Sequence, residues 1–370
     1  MFHVILYVSR ETIERNEKRM TKNEDKNIYY NNNKLLTLKD INGKKPEIFI
    51  CDGNRTAGKS YAFKSTLLRN WFRKGQQFVL IVRNQTDCKG YYESFWKDVG
   101  GDKYPEKECT EQSVAKGTFY QILIDDLVAG FVLPLSMASK LKRFSSMFID
   151  ATTMFFDEYQ DENSRYLPDE IRKLMSIHTS IARGHGEQTR YVALYMCSNT
   201  ISLLNPYYVA FGIHKRLREN TKFLRGDGWV FEKTMNESAK NAFQSSAFNR
   251  AFSNATDYFS YASENVYLND NLSLIEKPDG FFRYIATIKY NGELYNIRQY
   301  SNYIYVSEGC DITFPLKIAY KPLDIEGDGF WLCNKNAPIT KRIKQYFDGG
   351  LLRFDNLKSK NMLFDILTLK

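Results

Sequence analysis

Eight consecutive residues, Gly53-Asn54-Arg55-Thr56-Ala57-Gly58-Lys59-Ser60, set two glycines, a lysine and a serine at the spacing of a phosphate-binding loop. The glycines let the backbone approach phosphate oxygens, whose charge is then met by inward N–H groups. Lys59 is expected to reach the β and γ phosphates, and the Ser60 hydroxyl to hold Mg²⁺. Gly53, Arg55, Thr56, Ala57, Gly58, Lys59, Ser60 and Tyr61 are therefore the expected nucleotide-binding residues. A second stretch, Thr152-Thr153-Met154-Phe155-Phe156-Asp157-Glu158, is an apolar run that ends in two carboxylates. At the C-terminal rim of a parallel sheet, Asp157 suits the Mg²⁺ shell and Glu158 suits the general base that activates water. The glycine loop is by itself a strong signal of nucleotide binding; the Asp-Glu run alone is weak, and its pairing with the loop makes it specific for a site that hydrolyses ATP.

These residues need a strand before the glycine loop and a helix after it. Glu47–Asp52 reads as that strand, and Tyr61–Leu68 continues as a helix that stops at Gly75. Gln77–Arg83 reads as a buried strand, which completes a parallel βαβ unit. Gly100–Glu111 is polar and loop-like, and Thr118–Ile124 with Leu127–Leu135 reads as a hairpin turning at Asp125-Asp126. A helix is expected from Pro168 toward Ile181, ended by Arg183-Gly184-His185-Gly186. Tyr191–Cys197 is a further buried strand, and Asn199 at its tip is placed to sense the γ-phosphate. Tyr29–Leu36 precedes the first strand and suits a segment closing over the nucleotide base, with Asn32 in contact. Lys140, Lys142 and Arg143 form a small basic cluster that suits DNA or a neighbour's nucleotide. Adjacent Asp and Glu point to the additional-strand class of P-loop ATPases.

Composition narrows the classes. A chain of 370 residues suggests two compact domains. Six cysteines without C-x-x-C spacing and four scattered histidines argue against a zinc site or disulfide framework, and for reduced thiols. No run approaches the ~18 apolar residues of a spanning helix, so no membrane partner and a cytosolic setting are expected. The net charge is +9, and residues 1–235 hold 36 Lys and Arg against 28 Asp and Glu. The excess lies on the part that carries the glycine loop and suits a polyanion.

The sequence also resembles the DNA-encapsidation ATPases of small tailed phages with protein-primed linear genomes, the phi-29 type. The resembling residues are Tyr30-Asn31, the glycine loop with Arg55 and Tyr61-Ala62, Pro134-Leu135-Ser136, Phe156-Asp157-Glu158 and Tyr166-Leu167-Pro168-x-Glu170. Ser198-Asn199, Asn205-Pro206-Tyr207 and Leu352-Arg353-Phe354-Asp355-Asn356 continue the match, from about residue 28 to the C-terminus. The resemblance implies an ATP- and Mg²⁺-dependent motor that pumps double-stranded DNA into a prohead in the host cytoplasm. It implies a homomeric ring, expected to be a pentamer, docked on a portal and in some members on a packaging RNA. A neighbouring subunit would supply an arginine finger, with Arg183 in the matching position, Arg190 in reserve, and Lys140 or Lys142 assisting.

The implied fold is α/β: an additional-strand ATPase domain followed by a small α+β domain of RNase H-like type that has lost its nuclease. The expected boundaries are an arm at 1–27, the ATPase domain at 28–210, a linker at 211–270 and the second domain at 271–370. In the last, Phe281–Tyr290 and Glu293–Gln299 read as a hairpin turning at Asn291-Gly292, and Asp311, Asp324, Glu326 and Asp328 fall in turns. Two other classes stay open: a terminase with an active C-terminal nuclease, and a nucleotide-regulated assembly protein with little turnover.

Overall fold

Apolar runs too continuous for a half-exposed strand, such as Phe78-Val79-Leu80-Ile81-Val82, call for a sheet covered on both faces. The computed structural model describes residues 29–162, 165–184, 186, 188–203, 205–218, 221–251, 275–311, 313–325 and 329–367. The chain divides into two compact units, one of Met1–Tyr159, Arg172–Thr200 and Arg218–Val266, the other of Gln160–Ile171, Ile201–Leu217 and Tyr267–Lys370.

The first unit is built on a sheet of β1 (Ile48–Gly53), β2 (Gln77–Val82), β3 (Cys109–Val114), β4 (Phe119–Ile124), β5 (Leu127–Pro134), β6 (Ala151–Asp157), β7 (Ala193–Asn199), β8 (Phe223–Gly226) and β9 (Trp229–Thr234). Their order is β3-β4-β5-β2-β6-β7-β1-β9-β8. The run from β5 to β9 is parallel, while β3, β4 and β8 join it antiparallel. Strand β7 lies between β1 and β6, so the glycine loop and the Asp-Glu pair leave the same rim one strand apart. That is the additional-strand arrangement. Strands β1 and β2 are parallel as expected but are separated by β6 and β7.

The longer helices beside the sheet are α1 (Lys59–Lys74), α2 (Tyr91–Val99), α3 (Glu170–Ile181) and α4 (Glu237–Ser245). Helix α1 starts behind Gly58 (φ 86°) and ends at Gly75 (φ 63°), whose N–H bonds the Trp71 carbonyl. Phe63, Leu67 and Trp71 recur every four residues and bury one stripe of α1. The Phe63 ring lies 5.7 Å from Phe155 and 5.4 Å from Tyr195, which fixes the helix over β6 and β7. Burying such a ring stabilises by roughly 1.5–3 kcal/mol.

Several expectations shift. Cys109–Val114 is an edge strand that begins within the stretch read as a loop and runs past its end at Glu111; among the described residues it pairs with β4 alone and is largely half-exposed, so it shows no apolar alternation. The hairpin at Asp125-Asp126 forms, both residues taking positive φ (48° and 62°). Pro168 precedes α3, because Asp169 at φ 54° breaks the helical path before Glu170. Phe223–Thr234, within the expected linker, completes the first sheet, with β9 pairing along all of β1. Residues 252–270 of that linker, and the 1–27 arm, lie outside the described residues.

The second unit holds β10 (Arg283–Tyr290), β11 (Glu293–Gln299), β12 (Ile304–Glu308), β13 (Lys317–Ala319), β14 (Trp331–Leu332) and β15 (Leu352–Phe354), in the order β14-β13-β10-β11-β12-β15. Asn291 (φ 53°) and Gly292 (φ 80°) form the expected turn between β10 and β11. Helices α5 (Pro338–Asp348) and α6 (Leu357–Leu367) bring Ile343, Phe347, Leu363 and Phe364 to a core with Ile288, Ile297 and Val306. This is the small α+β arrangement expected of the second domain. Its carboxylates hold turns: Asp324 is buried and accepts from the Asn291 and Gly292 N–H groups at 3.0 and 2.8 Å. Asp311 accepts from the Thr313 N–H and hydroxyl, while Glu326 and Asp328 lie outside the described residues.

Candidate nucleotide site

The loop between β1 and α1 is shaped by close backbone approach. A Cβ on Gly53 would stand 2.4 Å from the Thr234 carbonyl oxygen of β9, so the strand end requires glycine. Asn54 then forms a reciprocal pair with Asn236, donating to its carbonyl at 3.0 Å and accepting from its N–H at 2.9 Å. Thr56 (φ 59°) and Gly58 (φ 86°) take the left-handed region, the alternation that turns successive N–H groups into one concavity. Lys59 opens α1, so its ammonium and the helix N-terminus serve the same point. That ammonium donates to the Gly53 and Asn54 carbonyls at 3.0 and 2.7 Å and to Asn199 Oδ1 at 3.3 Å. Burial pulls the Lys59 pKa down, and an anionic phosphate would oppose that shift.

The β6 end supplies the carboxylates. Asp157 Oδ1 accepts from Ser60 Oγ at 2.7 Å, from the Glu158 N–H at 3.1 Å and from Cys197 Sγ at 3.1 Å. Lys64, on α1, lies 3.6 Å from Asp157 Oδ2 and 2.8 Å from Asp98 Oδ2. Burial lowers the Lys64 pKa, but Asp157 and Asp98 outweigh it and hold the ammonium above its ordinary value. Burial, with Asp157 beside it, pushes the Cys197 thiol well above its ordinary range, so a neutral S–H faces the site. The remaining donors, hydroxyl and carboxylate, are hard oxygens that fit Mg²⁺. Glu158 has φ 51°, a strained value for a residue with a side chain, and is exposed.

Deeper contacts hold this turn. Tyr159, next to Glu158, is fully buried and donates its hydroxyl to Asp52 Oδ2 at 2.6 Å. Asp52 immediately precedes the glycine loop, so the two motifs are joined from behind. Arg83, just past β2, donates to the Tyr159 carbonyl at 2.9 Å and lies over the Phe156 ring. On the other side, the Tyr30 N–H bonds the Ala57 carbonyl at 2.7 Å, and Tyr29 packs beside Gly58. Tyr61 is 42% exposed with the Lys103 ammonium 4.6 Å from its ring centroid.

The structure brings Lys59, Ser60, Asp157, Glu158 and Asn199 together. It does not do so for every expected residue. Asn32 is buried and donates to the Ala62 carbonyl and Thr66 Oγ1, so it braces α1 and is not presented to a base. Arg190, the reserve finger, donates to the Phe148, Ala151 and Ile181 carbonyls, so its guanidinium is engaged within its own subunit. Arg183 follows α3 and is exposed, and Arg55 is half-buried. Lys140, Lys142 and Arg143 are exposed on the helical turns between β5 and β6 and form no ion pair among the described residues. Lys64, Tyr159, Cys197 and Arg83 were not singled out beforehand; only Lys64 carried a signal, four residues after Ser60 on the same helix face.

Residues 24–370 match the family model described as Podovirus DNA encapsidation protein (Gp16). The DNA packaging proteins of Bacillus phages phi29 and PZA are each 26% identical over 348 residues, covering 92% of this chain and 98% of theirs. That of Bacillus phage B103 is 26% identical over 310 residues, covering 82% and 91%. A solved structure of the Phi-28 gp11 DNA packaging motor is 16% identical with a TM-score of 0.53, covering 93% of this chain and 99% of that one, a likeness of fold alone. Because the family model spans nearly the whole chain, both units included, the chain belongs to the podovirus DNA encapsidation protein (Gp16) family.

Proposed function

We propose that this protein is an ATP-driven motor that moves double-stranded viral DNA into a preformed prohead, hydrolysing ATP at the subunit interfaces of a homomeric ring. The observation that carries the reading is the 2.7 Å bond from Ser60 Oγ to Asp157 Oδ1, with Glu158 held in a strained turn beside it. Binding alone needs the glycine loop; a second carboxylate aimed into solvent from a costly backbone conformation suits a base that activates water.

Lys59 and the N–H groups of the loop bind the phosphates, and Asn199 senses the γ position from the neighbouring strand. Ser60 and Asp157 would hold Mg²⁺, which when bound offsets charge on the β and γ oxygens. Glu158 accepts the proton of the attacking water. Tyr159, Asp52 and Arg83 keep that carboxylate in place. Arg183 acts across the interface on the neighbour's nucleotide, and Arg55 reports the nucleotide state. Lys140, Lys142 and Arg143 meet DNA phosphates, a contact that is sequence-independent and salt-sensitive. Family membership supports the cargo and the prohead portal as partner, with a pentameric ring and a packaging RNA as the finer expectation. Asp324 and Asp311 are engaged in turns, which favours a second domain that docks over one that cuts DNA. The work is done in the host cytoplasm during virion assembly.

The test is steady-state ATPase of wild type doped with Arg183→Ala, with and without double-stranded DNA. DNA stimulation, and suppression beyond simple dilution, are expected, since a trans arginine is worth about 10³–10⁵ in rate. Loss merely proportional to the mutant fraction would remove Arg183 from the interface.

A further inference from the structure

Ser60 and Lys64 stand four residues apart on α1, so both face the end of β6. Their targets are the two oxygens of one carboxylate: Ser60 Oγ meets Asp157 Oδ1 at 2.7 Å, and Lys64 Nζ lies 3.6 Å from Asp157 Oδ2. The same ammonium bonds Asp98 Oδ2 of α2 more closely, at 2.8 Å. The Lys64 side chain is only 7% exposed and that of Asp157 15%, whereas Asp98 is 44% exposed. A buried lysine needs an anionic partner, and this one has two, of which one belongs to the nucleotide site.

We propose that Lys64 and Asp98 set how tightly the nucleotide site holds its divalent cation, Lys64 opposing the cation at Asp157 and Asp98 drawing Lys64 away. The inference rests on Asp157 serving the Mg²⁺ shell. Lys64 is a positioning residue that touches neither substrate nor cation. The ammonium already stands closer to Asp98 than to Asp157, and a bound cation would favour Asp98 further. The partly exposed Asp98 changes partners at little desolvation cost, which a fully buried second carboxylate could not do.

The experiment follows binding of a fluorescent ATP analogue to the full chain across a free Mg²⁺ titration, with thermal unfolding in parallel. Lys64→Met is expected to lower the half-saturating Mg²⁺ about three- to tenfold, as removal of one nearby positive charge requires. Asp98→Asn, which leaves Lys64 with Asp157 alone, is expected to raise it by about two- to threefold. Lys64→Arg should stay near wild type. Opposite shifts for Lys64→Met and Asp98→Asn support the proposal. Shifts of the same sign, or lower melting temperatures with an unmoved Mg²⁺ midpoint, overturn it and leave the pair as packing. If Lys64→Met does not fold, the exposed Asp98→Asn alone decides. A wild-type chain whose nucleotide binding ignores Mg²⁺ would instead overturn the assignment of Asp157 itself.

Discussion

The two units use buried polar side chains in opposite ways. In the first, Asp52, Asn54, Lys59 and Lys64 are all buried, and all bond across the rim where β1 and β6 end. In the second, Asp324, Asn296 and Thr340 are equally buried but scattered, each holding one local turn or strand pair. Both sheets bear carboxylates and aromatic rings. The first gathers these buried polar groups around the glycine loop and its neighbours. Convergent burial costs desolvation at a single place and suits a site where charge will develop; dispersed burial fixes shape.

Substitutions break or sharpen this contrast. The largest effect belongs to Glu158→Gln, which should lower turnover about 10²–10⁴-fold while ATP affinity and melting temperature hold, measured by ATPase assay and analogue binding. Unaltered turnover would place the base elsewhere. In the second unit the opposite signature is expected. Asp324→Ala, removing two turn bonds, should cost about 2–3 kcal/mol in denaturant unfolding and leave ATP turnover intact. Loss of turnover without loss of stability would give the second unit a part in the chemistry.

Tyr159→Phe tests whether holding and chemistry coincide in the first unit. Deleting its bond to Asp52 should lower kcat about tenfold, ~1.4 kcal/mol of barrier, with KM nearly unchanged. Asp348 gives the smallest effect. Burial, with Asp169 and Glu170 nearby and Lys344 opposing, pushes its pKa up to about 6. Because this native value lies above that of the unfolded chain (~3.9), its stabilising contribution is present below pH ~4 and lost as pH rises through 6. Asp348→Asn should therefore match wild type near pH 4 and exceed it by about 1 kcal/mol at pH 7 in the same unfolding assay.

The legible parts of the sequence were those where chemistry or turn geometry fixes residue identity. The glycine loop, Asp157-Glu158 and the Asn291-Gly292 turn were readable because few alternatives satisfy phosphate, metal or positive φ. The pairing of β9 with β1 was not, since it joins residues some 180 apart through a polar stretch. The place of Lys64 four residues after Ser60 is legible, but nothing in the chain announces that α2 brings Asp98 to it. Nor does an arginine's spacing tell whether carbonyls of its own subunit will engage it, as they do Arg190.

The two bonds between Asn54 and Asn236 bear on how a motor transmits force. Asn54 lies in the phosphate loop, and Asn236 follows the last strand of the first sheet, where the chain runs on into α4. Tension on the backbone beyond Asn236 therefore has a path to the loop through two hydrogen bonds, without crossing the apolar core. So short a linkage couples any displacement of the chain after Asn236 to the shape of the phosphate loop.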